Sequence, residues 1–168
     1  ISFSGPKIPA EGETILGAKY NIGPGGKGCN QAIAISRLGG KVNFFTKIGQ
    51  DNYGRLALET LKKNNIETKY IIQNESLQTG VAGILVDSTS GKNAINVITG
   101  APSTLTLKDL EKQIELIKRS KIFLTQLEIP KDVTLECLKI AKENNVTTIL
   151  NPAPASKLSN NFFQHIDY

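Results

Sequence analysis

The 168-residue sequence has no methionine, only two cysteines and a single histidine. Without methionine it lacks a natural start, and it reads as a piece of a longer protein. Cys29 and Cys137 cannot build a disulfide framework and point to a reduced intracellular compartment, cytoplasmic and also nuclear. No apolar run approaches the roughly 18 residues that would span a bilayer, and nothing has the layout of a signal peptide, so no membrane partner is expected. Lys plus Arg is 20 against 15 for Asp plus Glu, a net charge of +5, with the basic residues scattered rather than striped. That distribution argues against a nucleic-acid partner and suits a small anionic ligand such as a nucleotide phosphate. Internal repeats and low-complexity tracts are absent. What remains is 39% hydrophobic and 21% charged, one ordinary domain's worth of chain that can bury a core.

From Ile1 to Asn21 the chain carries turn punctuation at Gly5-Pro6, Pro9 and Gly12, then an alternating run from Glu13 to Ile22 that predicts a half-exposed strand. After a glycine cluster, Asn30 to Leu38 reads as a helix stopped by Gly39-Gly40, and Val42 to Ile48 as a compact apolar strand. Asp51 or Asn52 can cap the helix that follows. Thr79–Val86 and Asn93–Thr99 predict two strands joined by a hairpin, which together with 13–22 form a small side sheet or lid. The strand–helix rhythm then resumes. Thr106 and Asp109 resemble a capping box, and Leu107, Leu110, Ile114 and Ile117 form a helical stripe. Strands are expected at Ile122–Leu127 and Val146–Leu150, and helices at Asp132–Asn144 and Ser159–Ile166. Such alternation implies an α/β fold, a parallel sheet with helices on both faces, to which the side sheet is added.

Ligands in open parallel sheets bind at the carboxyl ends of the strands. One strand there ends at Gln126 and Glu128, another at Asn151. A carboxylate so placed is either a cap or surface charge, or an acceptor for the hydroxyls of a polyol. The strongest local signal is Gly23-Pro24-Gly25-Gly26-Lys27-Gly28-Cys29-Asn30-Gln31, with four glycines in six positions. Glycines alone would suit a tight strand-to-helix turn. Bare backbone, a following helix N-terminus, the Lys27 cation and the Asn30 amide together read as a binding loop. A P-loop is excluded, since Asn21 stands where its first glycine belongs and Gly28 where its metal-binding hydroxyl belongs. The dinucleotide pattern is met by Gly23, Gly25 and Gly28, with Asp51 about 20 residues on, but the half-polar run before it argues against a buried strand. A nicotinamide-dependent oxidoreductase therefore stays as an alternative. Cys137 and His165 read as packing or surface residues.

The segment GPGGKGCNQAIAISRLGG resembles the N-terminal signature of the ribokinase-like (PfkB) carbohydrate kinases, and PAEGET, KIGQDNYG, TGVAGILVD, QLEIP and NPAPA follow that family's order. The resemblance covers essentially the whole chain and favours the ribose-phosphorylating members over fructose or nucleoside kinases. Cys29 departs from the alanine usual at its position. The resemblance implies a partial domain over 1–168 with Rossmann-type layers, lid strands within 1–22 and 79–99 and an α/β core in 26–73 and 104–168. It implies sugar contacts from Gly26, Lys27, Gly28, Cys29, Asn30 and Glu128, and lid contacts from Ala82 and Ile95. It also implies a small sugar substrate, ATP with Mg²⁺ and a monovalent cation such as K⁺, and a homodimer formed through the lid. The family's opening strand is expected before Ile1, and its catalytic base, anion hole, nucleotide pocket and metal ligands after Tyr168. This half then positions the acceptor without turning it over. A non-catalytic sugar-binding or dimerising module is the remaining alternative.

Overall fold

Strand pairing begins where the sequence reading placed only turns. The computed structural model describes residues 1–168, and its first element is β1, Ser2–Gly5. The expected strand at 13–22 shrinks to β2, Lys19–Asn21, which pairs antiparallel with β1. The cause is length. β1 offers a partner for only a few residues, and Glu13 is held in a turn by its own bonds to Ala10 and Lys7. Leu16 is left 91% exposed, so the alternation around it marks no buried face. Short, half-polar β1 gives no periodic signal of its own and exists because a longer strand lies beside it.

That strand arrives after the first core elements. They are α1 (Lys27–Arg37), β3 (Thr46–Gly49), α2 (Asn52–Lys63) and β4 (Ile71–Asn74). Then come β5, Val81–Asp87, and β6, Asn93–Ile98. The side sheet has the order β2-β1-β5-β6, with β1 parallel to β5 and the outer pairs antiparallel. The Asp87 carboxylate closes the β5–β6 turn by accepting from Thr89 N at 2.8 Å and Ser90 N at 3.1 Å, and Gly91 takes φ 73°.

β3 and β4 pair in parallel under α1 and α2, around Cys29, Ala32, Ile33, Ile48, Leu61, Ile66 and Ile71. The strand expected from Val42 is regular only from Thr46, with a single earlier bridge from Asn43 to Glu67. A second layer follows a 3-10 turn at Ala101–Thr104. It comprises α3 (Leu107–Glu111), α4 (Ile114–Lys118), β7 (Ile122–Thr125), α5 (Lys131–Glu143), β8 (Thr147–Leu150) and α6 (Asn160–Phe163). The Thr106–Asp109 capping box forms as expected. The expected stripe is two short helices, yet Leu110 and Ile117 still bury together with Val133, Cys137, Ala141 and Val146. Burial pushes the Cys137 thiol up to about 12, in keeping with a core-filling role. The helix expected over 159–166 spans only four residues, after which the backbone of Tyr168 bonds to that of Thr148 and Leu150.

Parallel pairing of β7 with β8 matches that of β3 with β4, but the two pairs are not hydrogen-bonded to each other. Side chains join them instead. Lys47, 8% exposed on β3, donates to Asp109 Oδ2 at 2.8 Å and to Thr104 O at 3.1 Å. A buried lysine is tolerable only with such partners. The second link is a hydrogen bond from Gln126 Nε2 to Gln31 Oε1. The second of these starts from α1, the helix that follows the glycine loop.

Candidate functional site

The first helix begins at Lys27 rather than at Asn30, because a carboxylate from elsewhere caps it. Gly26 takes φ 85°, a left-handed backbone that favours glycine, and offers no side chain to the helix end. Glu128, just past β7, accepts from the Lys27 backbone N–H at 2.6 Å through Oε2. Its Oε1 lies 3.8 Å from Lys27 Nζ, an ion pair too long for a hydrogen bond, so this oxygen keeps its acceptor capacity. Both side chains are partly exposed, at 40% for Lys27 and 35% for Glu128. The next two amides of the helix, Gly28 N–H and Cys29 N–H, have no acceptor in the protein. An acceptor oxygen, a cation and two main-chain donors thus meet at one helix end.

At Gly28 the bareness follows from what surrounds it. A Cβ on Gly28 would lie 2.9 Å from Gln126 Oε1 and 3.3 Å from Phe44, so a side chain there would displace the Gln126 amide that bonds Gln31. Gln126, directly after β7, touches Gly28, and Glu128, two residues on, bonds Lys27. That segment is itself tied down by Leu127 N–H donating to Ala153 O at 3.0 Å, which brings the QLEIP and NPAPA motifs together. Gln126 and Gln31 were not among the expected site residues. The period-two spacing from Glu128 was the signal that could have found Gln126.

Cys29 lies within the loop, but its side chain turns into the core. The residue is 9% exposed and packs with Ala32, Ile33 and Ile48, and burial raises the thiol pKa. Only its main-chain N–H faces the loop. Asn30 is exposed and lines a groove of about 260 Å³ with Pro24, Ile33, Ala34, Arg37 and Thr60, with no bond to Glu128. Ala82 and Ile95 share one face of the side sheet, since Ala82 pairs with Val97 and Ile84 with Ile95. That face is open to solvent, with Ile95 55% and Val97 59% exposed.

The dinucleotide alternative does not survive the geometry. The strand before the glycines, β2, is an exposed edge strand in an antiparallel pair, not a buried parallel one. Asp51 caps α2 by accepting from Gly54 N–H at 2.8 Å and also binds Thr79, so it is not free for a ribose hydroxyl. No three His, Cys, Asp or Glu side chains gather as a metal ion would need. These residues therefore offer no carboxylate cluster for Mg²⁺.

A family model described as pfkB family carbohydrate kinase matches residues 3–168. The chain belongs to the pfkB family. Mouse ribokinase is 41% identical over 149 residues, which are 89% of this chain and 46% of that protein. The crystal structure of ribokinase from Thermotoga maritima superimposes with a TM-score of 0.87 at 36% identity, covering 99% of this chain and 54% of the other. The Arabidopsis thaliana ribokinase structure, complexed with ribose and ATP, gives 0.84 at 27% identity, again over 99% of this chain and 54% of that one. The chain therefore spans about half the length of the relatives it matches. The ribokinase-like α/β fold read from the motifs agrees with these family relationships.

Proposed function

We propose that this chain is the sugar-holding part of an ATP-dependent kinase that converts D-ribose to its 5-phosphate. The single observation behind the reading is Glu128 turned onto the start of α1, with one oxygen spent on Lys27 N–H and the other free beside Lys27 Nζ. A sugar hydroxyl both donates and accepts. Adjacent hydroxyls can therefore donate to Glu128 Oε1 while accepting from Gly28 N–H, Cys29 N–H or the Lys27 ammonium. Asn30 would read a further hydroxyl from the edge of the groove, and Gly26 would let the ring approach the main chain. Ala82 and Ile95 supply an apolar face to cover the ring and exclude water. The chain's contribution is thus positioning of the acceptor hydroxyl, the larger part of what phosphoryl transfer asks of a protein besides charge stabilisation. ATP supplies the phosphoryl group, and Mg²⁺ with a monovalent cation would supply charge stabilisation when bound.

Exposed strands at both edges of the side sheet favour a homodimer through this lid, checked by sedimentation of the whole protein. The two buried thiols suit a reducing compartment, cytoplasmic or nuclear. The deciding experiment is an ADP-release assay of the whole protein against ribose, 2-deoxyribose, fructose, other hexoses and nucleosides. Turnover confined to ribose is the expected result. Turnover on fructose or a nucleoside but not ribose would move the protein to another branch of the family.

A further inference from the structure

The side sheet is attached to the α/β layers by three connections, and two of them cross at one point. Entering β5, the chain passes through Thr79-Gly80; leaving β6, it passes through Thr99-Gly100. The legs touch main chain to main chain. A Cβ on Gly80 would lie 2.5 Å from Thr99 O, and one on Gly100 would lie 2.5 Å from Gly80 N and 2.6 Å from Gln78 O. Gly100 takes φ 58° and ψ −149°, which an L side chain rarely adopts. Directly below, Ala101 is fully buried and donates to Gln78 O at 2.8 Å.

This crossing is fastened to the core by more than a helix cap requires. Asp51 needs only Gly54 N–H, at 2.8 Å to Oδ1, to cap α2. Yet Oδ1 also accepts from Thr79 Oγ1 at 2.8 Å, and Oδ2 accepts from Thr79 N–H at 2.8 Å. Gly49 N–H at the end of β3 donates to the same hydroxyl at 2.9 Å. There is no room between these parts. A Cβ on Gly49 would come within 2.2 Å of Leu77 O, and one on Gly54 within 2.1 Å of Gly49 O. A rigid pin therefore sits at Asp51–Thr79, and each leg leaves it through a glycine.

We infer that the Thr79-Gly80/Thr99-Gly100 crossing is the pivot of the lid and that Asp51 is a positioning residue for sugar affinity, acting through Thr79. The inference rests on the sugar-kinase reading above for its effect on affinity, though not for the motion itself. Loosening the pin spreads the lid over more orientations, and apparent affinity falls by the fraction still able to close. Saturating sugar restores closure, so kcat is spared.

Two variants of the whole protein test this. Asp51→Ser retains a good cap for α2 but cannot reach Thr79, and Thr79→Val leaves Asp51 and its cap untouched while removing the hydroxyl. Each should raise KM for ribose about tenfold, the scale of one hydrogen bond to a charged group, with kcat changed less than about threefold. A readout independent of turnover uses spin labels on Thr89→Cys at the lid tip and Lys63→Cys on α2, both exposed positions; Cys29 and Cys137 are buried, and any other cysteine of the whole protein that labels is first replaced by serine. The wild-type interlabel distance should be narrow and both variants should broaden it. Unchanged distance distributions in both variants, with thermal midpoints near wild type, would overturn the inference. If the wild-type protein phosphorylates no sugar, the kinase reading fails, and the distance measurement still decides whether Asp51 pins the crossing.

Discussion

β6 and β8 are both short strands, and the apolar content of each by itself does not separate their fates. β6, Asn-Ala-Ile-Asn-Val-Ile, is exposed at every residue, whereas β8, Thr-Thr-Ile-Leu, buries Thr148 completely and Leu150 nearly so. Thr148 tolerates burial because Asp167 Oδ2 accepts from its N–H at 2.9 Å and from its hydroxyl at 3.0 Å. β6 has β5 on one side and nothing over either face, leaving Ile95, Val97 and Ile98 more than half exposed. A polar strand with its bonds satisfied belongs to a core, while an apolar strand left open belongs to a surface that something must cover. The α/β layers are held by burial and the side sheet by its legs.

The sharpest way to break this contrast is to truncate the same kind of side chain in each region. Leu138→Ala, at a fully buried position in α5, should destabilise the protein by about 2–5 kcal/mol in denaturant titration. A loss under about 0.5 kcal/mol would mean that the second layer is not the packed body described. Next in size, Glu128→Gln leaves both layers standing and should lower kcat/KM for ribose by about a hundredfold in the whole protein, since it replaces a charged acceptor with an amide. An unaltered steady-state rate would remove Glu128 from the site.

A smaller, pH-dependent effect separates the C-terminal edge from the rest. The bond from Lys142, then those from Thr148, hold the Asp167 carboxyl at about 2, below its ordinary value of 3.8. A carboxyl depressed on folding contributes stability above its unfolded pKa and loses it as pH falls through the folded one. Protection of the Thr148 and Tyr168 amides from hydrogen exchange should therefore hold at pH 5 and decline between pH 4 and 2. Asp167→Asn should lack that decline. Smallest of all, Val97→Ser on the open face of β6 should shift stability of the sugar-free monomer by no more than about 0.5 kcal/mol, measured as the denaturant midpoint. A larger loss would show that the side sheet is covered in solution.

Several devices were legible because they act within a few residues of chain. Asp51 as the cap of α2, the Asp87 turn before Lys92 and the Thr106–Asp109 box each join residues two or three apart. The glycine loop and the two strand tips were legible as candidates from residue type and order, and the family motifs singled out Glu128 among them. Other features carried no local mark. Four-residue β1 is a strand only because β5 runs beside it, and Cys29 turns inward only because Ile33 and Ile48 make a core there.

Residue identity determined on its own where this chain must turn, start a helix and expose main chain, because those preferences depend on φ, on side-chain reach and on neighbours in sequence. Only the folded arrangement could decide that Glu128 caps α1 from 101 residues away, that Lys47 bonds Asp109 across 62, and that Asp51 grips Thr79 across 28. Each of those bonds brings together partners that an unfolded chain keeps apart at an entropic cost. They form once packing of the layers has already met that cost.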